Sequence, residues 1–192
     1  NLDLPKFVLG ASTHEGEEKI LLQAFKKIGV KCSHKLFICP RHPDRAKEVL
    51  TLANQMNFKT QLYSRLSQED YEVCVIDSIG LLPDFYKGAD LALVGGSLVP
   101  RGGHNLIEPA VLGTPIIVGK HTFNFEEITA NFINQDACLL VHDENELYEA
   151  MQSLLEDENL RSRLSKNAEE VVSLNQGSTE TQVSYILNKL GE

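Results

Sequence analysis

The chain has 192 residues, of which 42% are apolar, enough for one α/β domain of ordinary size with a full core. A formal net charge of −9 and a pI near 5.2 argue against a nucleic-acid surface. Its four cysteines (Cys32, Cys39, Cys74, Cys138) lack C-x-x-C or Cys/His spacing, so they are expected to be reduced and structural rather than metal ligands, and no run approaches the ~20 apolar residues of a membrane span. No stretch reads as a secretory leader, which points to a soluble chain in a cytosolic setting. The first residue is Asn1 and strand-like sequence begins at Lys6, so an excised or processed single domain over 1–192 is expected.

The first predicted strand is Lys6–Ala11, and Ser12-Thr-His-Glu15 then opens an amphipathic helix over Glu15–Ile28. Ser12 and Glu15 have capping-box spacing, which predicts the hydroxyl on the N3 amide and Glu15 on the N-cap amide. The alternative is that the Ser12 and Thr13 hydroxyls face a cleft. Glu15, Glu17 and Glu18 are read as answering the helix dipole, which makes this end less welcoming to an anion. A second strand, Lys35–Cys39, runs into Pro40-Arg-His-Pro43, followed by a helix over Asp44–Met56. An arginine at the carboxyl end of a parallel strand lies where open α/β sheets bind ligands, and its planar fork suits phosphate; pairing of Arg41 with Asp44 is the other reading. His42 is more readily a hydrogen-bonded structural ring than a catalyst.

Strands Thr60–Tyr63 and Glu72–Ile76 come next, and Asp77-Ser-Ile-Gly-Leu-Leu-Pro83 leads into a helix over Leu82–Lys87. Gly80 permits close backbone approach, so the amides and carbonyls of Ile79, Gly80 and Leu81 could read a base edge; a turn or cap built on Asp77 explains the same residues. The most informative stretch follows the strand Leu91–Val94. It reads Gly95-Gly-Ser-Leu-Val-Pro-Arg-Gly-Gly-His-Asn-Leu-Ile-Glu-Pro-Ala110 and runs into a helix over Leu106–Leu112. A glycine-rich strand-to-helix turn lets backbone N–H groups approach an anion, and the helix N-terminus adds partial positive charge.

Gly95, Gly96, Gly102 and Gly103 exceed what a plain cap needs, which favours a functional loop. His104 is expected to donate to a phosphate or to fix the loop. Asn105 and Glu108 have capping-box spacing, yet Glu108 also lies one turn into the helix, within reach of a sugar hydroxyl. Positive charge for a phosphate would come from Arg41, Arg101 and Lys120. After the strand Pro115–Val118, Lys120 reaches the same crevice or is simply solvated.

A helix over Phe125–Asn134 and a strand over Ala137–Val141 complete the alternation. Then the strands stop. Glu144–Leu155, Glu158–Ser173 and Thr179–Leu190 form a predicted helical tail (144–192), with Leu147, Met151, Leu154 and Leu155 on one face of the first helix and Val183, Ile186, Leu187 and Leu190 striping the last. Strands separated by helical patterns indicate an α/β fold, a Rossmann-like parallel sheet with helices on both faces. Ser12/Thr13, Arg41, Gly80, Asn105/Glu108 and Lys120 each follow a strand directly, so a parallel sheet would line them along one rim. No metal site and no cofactor is expected.

Ala11-Ser-Thr-His-Glu-Gly-Glu-Glu18, Pro40-Arg-His-Pro43, Ala89-Asp90 with Val94-Gly-Gly-Ser-Leu98, and Arg101-Gly-Gly-His-Asn with Glu108-Pro109 resemble the 3-deoxy-D-manno-oct-2-ulosonic acid (Kdo) transferases of lipopolysaccharide assembly. The likeness runs from about Lys6 to Glu127. It implies the C-terminal half of a GT-B glycosyltransferase, the half that binds the CMP part of CMP-Kdo, with an N-terminal acceptor domain absent from this chain. By resemblance, Pro40 and Arg41, Ile79 to Leu81, and Asn105 to Glu108 hold CMP, and Glu108 bonds the ribose hydroxyls. The implied reaction is inverting transfer of Kdo to a lipid A precursor (lipid IVA) at the cytoplasmic face of the bacterial inner membrane, with the general base in the other domain and no catalytic residue here. Two departures stand out: Asn105-Leu-Ile-Glu108 where relatives have Asn-Pro-Leu-Glu, and Pro100 where a charge is frequent. A half of a UDP-sugar transferase or epimerase, and a flavodoxin-like interaction module without a ligand, are the competing readings.

Overall fold

The computed structural model describes residues 4–29, 33–67 and 69–190, with the side chains of 175–190 outside the described residues. Among these residues the order is β1 (Phe7–Thr13), α1 (Glu17–Ile28), β2 (Lys35–Pro40), α2 (Ala46–Gln55), β3 (Thr60–Leu62), β4 (Val73–Val75), α3 (Leu82–Gly88), β5 (Leu91–Val94), α4 (Ile107–Val111), β6 (Ile116–Gly119), α5 (Glu126–Asn134), β7 (Leu139–Val141), α6 (Glu144–Glu156) and α7 (Glu158–Leu190). Every predicted strand is present, and all pair in parallel in the order β3-β4-β2-β1-β5-β6-β7. The predicted Rossmann-like sheet is therefore what forms.

Strand side chains alternate between two cores, as a pleat requires. Val8 joins Leu21, Leu22 and Phe25 of α1 on one face; Phe7, Leu9 and Ala11 join Phe37, Phe85 and Tyr86 on the other. Both faces being covered explains why the strands read as continuous apolar runs rather than alternating ones. On the second face the Phe7 and Phe37 rings lie 4.7 Å apart and Phe37 and Phe85 5.4 Å, separations at which aromatic pairs attract beyond their buried area. Cys74 and Cys138 are buried and Cys39 half-buried, all three as free thiols, with burial pushing Cys39 up to about 11 and the other two up to about 12. Cys32 lies outside the described residues.

The helical segment after β7 is not an appendage. Leu147, Met151 and Leu154 of α6 are fully buried against α1, each contributing roughly 1.5–3 kcal/mol of burial. Leu155 is only partly buried at the edge of the same cluster. Leu164, Ala168, Val171 and Val172 anchor the first half of α7. The two helices expected over Glu158–Ser173 and Thr179–Leu190 are one helix, α7; the glycine between them, Gly177, costs a helix only about 1 kcal/mol and does not interrupt it. The predicted stripe of Val183, Ile186, Leu187 and Leu190 has its side chains outside the described residues.

Candidate functional site

In this all-parallel sheet the order in which strands are added reverses between β1 and β5: the chain moves from β1 outward to β2 on one side and returns to β5 on the other. Ligands of open α/β sheets bind in the crevice beyond the carboxyl ends of the strands at such a point. The segments flanking it are the turn after β1, carrying Ser12 to Gly16, and the long loop from β5 to α4.

The end of β1 is irregular. Its register with β2 shifts between Ala11 and Thr13, and Ser12 sits at φ +51, a left-handed conformation that a non-glycine residue adopts only under local compulsion. Such a bulge re-aims a side chain at a sheet rim. The Ser12 carbonyl turns towards Gly95 so closely that a Cβ there would collide with backbone atoms of Ala11 and Ser12. Gly96 follows at φ +68. These two glycines answer the backbone of β1 and the turn geometry.

The predicted Ser12–Glu15 capping box does not form. Because the chain is bulged at Ser12 and turns again at Gly16 (φ +97), α1 begins two residues later, and Glu17 rather than Glu15 reaches back, accepting the His14 amide at 2.9 Å. Glu17 does more than cap. It is fully buried, and its carboxylate also accepts N–H bonds from Gly96 (2.7 Å), Ser97 (2.9 Å) and Leu98 (2.9 Å). Four donors and no acceptor surround its two oxygens, a cradle for the ionised form against which burial pushes the pKa upward. The amides expected to receive an external anion thus already hold an internal one, so Glu17 does more than answer the helix dipole.

Glu18 is equally buried and ties down a third segment. It accepts the Thr13 hydroxyl at 3.1 Å and Arg45 Nη1 at 2.7 Å, with Arg45 reaching over from the turn before α2. Thr13 is fully buried, so its hydroxyl is committed inward and does not face the cleft. The Arg41 amide donates to the Thr13 carbonyl at 2.9 Å, placing Pro40 and Arg41 beside the β1 turn. Pro40 is buried and Arg41 exposed, and among the described residues no carboxylate lies within ion-pair distance of the Arg41 guanidinium. The alternative pairing with Asp44 is not made.

Three histidines converge on the crevice. His14 Nε2 and His104 Nε2 are 3.0 Å apart, the ring planes parallel within 8° and the centroids 5.2 Å apart. That separation equals one hydrogen bond plus two ring radii, so the rings meet edge to edge in nearly one plane. His42 approaches His14 edgewise at 6.1 Å. Burial, with His14, Arg41 and His42 nearby, pulls His104 down to about 4. His14 is lowered too, by burial and by Arg101 and His42. Among the described residues these rings form no metal-holding group.

Beyond them, Gly103 is buried at φ +75, and its N–H closes the loop onto the Gly96 carbonyl at 2.7 Å. Asn105 Oδ1 accepts the Ile107 amide at 3.0 Å. Glu108 does not return to the Asn105 amide, so the alternative capping-box reading is not realised and the exposed Glu108 carboxylate is left free of side-chain hydrogen bonds among the described residues. Tyr86 feels its charge, which together with burial drives the phenol pKa upward. The helix behind Glu108, α4, has only five residues, so its dipole is short.

The flanks are looser. Asp77 caps no helix; it accepts the Ser64 amide and hydroxyl, tying the end of β4 to the turn at Tyr63–Arg65, and although burial opposes ionisation these bonds hold its carboxyl below the ordinary range. Ile79 is 86% exposed, Gly80 stands at φ +84 with open space around it, and Leu81 is half-buried at the start of α3. Lys120 follows β6 and is exposed; its charge acts on Asp143 at the start of α6. The structure therefore gathers Ser12, Pro40, Arg41, Gly103, His104 and Asn105 around β1, with Glu108 one turn further on. It sets Ile79 to Leu81 to one side and Lys120 to the other.

His14, Glu17, Glu18 and Arg45 were missed as site residues. For the two glutamates a signal existed: Glu17 and Glu18 stand four residues before Leu21 and Leu22, on the face of α1 that enters the core. A carboxylate on an apolar face calls for buried donors.

The sequence profile of the glycosyl transferases group 1 matches residues 8–171. The chain is similar to the 3-deoxy-D-manno-octulosonic acid transferases of Haemophilus influenzae (36% identity over 90% of this chain and 41% of the relative) and Aquifex aeolicus (35% over 78% and 42%). It spans about two fifths of their length. Among solved structures, the C-terminal CMP-Kdo binding domain of WaaA from Acinetobacter baumannii superposes with a TM-score of 0.83 at 32% identity, covering 89% of this chain and 91% of that one. The sheet, its order and its helical C-terminal segment are those of a GT-B half, and the chain belongs to the group 1 glycosyl transferases.

Proposed function

We propose that this chain binds CMP-Kdo through its cytidine monophosphate and forms the donor half of a Kdo transferase. What carries the reading is the near-complete correspondence with a domain described as CMP-Kdo binding, which spans 91% of that domain. The Glu108 carboxylate and the Arg41 guanidinium, neither of them paired among the described residues, and the histidine pair at the β1/β5 switch point support it. Glu108 and Asn105 would hold ribose hydroxyls, Arg41 the phosphate, and the exposed backbone of Ile79 to Leu81 the edge of the base. In a closed, poorly hydrated cleft such fixed donors stabilise charge on a departing nucleotide phosphate. The acceptor, a lipid A precursor at the inner membrane surface, and the base that activates it belong to the proposal for the whole enzyme; no catalytic base is assigned in these 192 residues. No helix among the described residues is long and apolar enough to cross a membrane.

Calorimetric titration with CMP, UMP and UDP tests the reading. CMP is expected to bind in preference, and Glu108→Gln to weaken it about tenfold, the worth of roughly one charged hydrogen bond. Preference for a uracil nucleotide would sink the assignment. Transferase turnover by this chain alone would contradict the division of labour between two halves.

A further inference from the structure

We propose that the hydrogen-bonded His14–His104 pair forms the phosphate-side wall of this site and takes up one proton when the phosphate arrives, so that nucleotide binding is proton-linked. The inference rests on the nucleotide-binding reading above and goes beyond it in naming a titrating device.

The geometry restricts the pair to few protonation states. With Nε2 facing Nε2 at 3.0 Å in nearly coplanar rings, one ring must donate and the other accept. The donor ring is the Nε2–H tautomer with a bare Nδ1, and the acceptor ring carries its proton on Nδ1. One added proton goes to the bare Nδ1, and the resulting imidazolium still donates across the same bond, now charge-assisted. A second proton would have to enter between the two Nε2 atoms and would break the contact. The pair is therefore a single-proton base.

Its surroundings keep it empty in the absence of an anion. From the β2–α2 segment Arg41, His42 and Arg45 act on it, and from the β5–α4 loop Arg101; from α1 come the carboxylates of Glu17 and Glu18. Glu17 is enclosed by four amides; Glu18, paired with Arg45, raises His14 but acts on it less strongly than Arg101 does. Burial and this cationic excess both disfavour a proton on the imidazoles. A phosphate among these groups reverses the balance. It cancels the cationic field and offers acceptor oxygens, so the pair's pKa rises on binding and a proton enters from solvent. The bound state then holds more protons than the free one, and affinity increases as pH falls.

The test measures CMP binding to the wild-type chain between pH 6 and pH 8, in buffers of different ionisation enthalpy, beside His104→Asn and His14→Gln. The phosphate's own second ionisation near pH 6 is common to all three proteins and drops out of the comparison. Wild type is expected to take up a fraction of a proton that both variants lack, and to gain roughly 3- to 10-fold in affinity relative to them over this range, within the tenfold per pH unit that one linked proton allows. Imidazole resonances of the wild type, titrated with and without CMP, give a second readout needing no variant: His104 should titrate near pH 4 when free, and the bound pair above about pH 6, the rise that a 3- to 10-fold gain down to pH 6 requires. CMP binding with identical pH profiles and proton counts in all three proteins, or an unmoved imidazole titration, overturns the inference while leaving the nucleotide site intact. Absence of CMP binding at every pH instead overturns the proposed function. Cytidine, which lacks the phosphate, should bind weakly and without proton uptake.

Discussion

The middle of the rim and its flank are built on opposite plans. Around β1 two consecutive buried carboxylates bind three separate segments: Glu17 holds the loop after β5, and Glu18 holds Thr13 and the arginine before α2. On the flank, Ile79 and Gly80 stand in open space beyond the strand end that Asp77 ties to Ser64. Both regions belong to the candidate nucleotide site. On the proposed reading, the comparison teaches that the pre-organised centre holds charged groups apart where the phosphate would sit, whereas the open flank faces the base.

The largest effect should come from the centre. In Glu17→Gln one oxygen that accepts two N–H bonds becomes an NH2 group facing the same donors, leaving buried amides unpaired at about 1–3 kcal/mol each. A total near 2–5 kcal/mol implies a melting temperature lower by roughly 5–15 °C for a domain of this size. An unchanged denaturant midpoint would show that Glu17 does not staple the rim. Gly95→Ala should cost about 1–3 kcal/mol, because the new methyl group meets strand backbone that cannot yield; measured stability within error of wild type would mean that the close approach is soft.

A smaller effect is pH-dependent. His104 is held neutral, with its pKa pulled from 6.5 to about 4, so between those values the unfolded chain binds a proton that the folded chain refuses. Without nucleotide, stability should therefore fall as pH drops from about 6.5 towards 4, and His104→Asn should flatten that slope. A slope of opposite sign would mean that the ring is charged in the fold. Least of all, Ile79→Ser should change stability by under about 0.5 kcal/mol, as exposed positions do. A large loss would show that the flank is no looser than the centre.

Much of this was legible in the sequence. Continuous apolar runs separated by amphipathic ones fix a parallel sheet, and each predicted strand appears within one or two residues of its expected ends. Candidates placed directly after strands reach the rim for the same reason. The Ser12–Glu15 capping box was misread because spacing alone does not register a backbone bulge: with Ser12 at φ +51 the helix starts later and a different glutamate reaches back. The Gly95–Gly96 turn was read as a seat for an outside anion because its occupant lies 79 positions earlier in the chain. The histidine pair, 90 residues apart in sequence, is likewise a product of strand order.

The long sequence separation bridged by Glu17 bears on how the molecule is assembled. Contacts between distant segments form late because closing the intervening loop is entropically unfavourable. The amide cradle requires β1, α1 and β5 to be docked together, so a partly folded chain has no crevice, and the two imidazoles have no reason to meet. Protection by CMP during refolding should accordingly appear only with the final cooperative step, making nucleotide capture a reporter of completed folding.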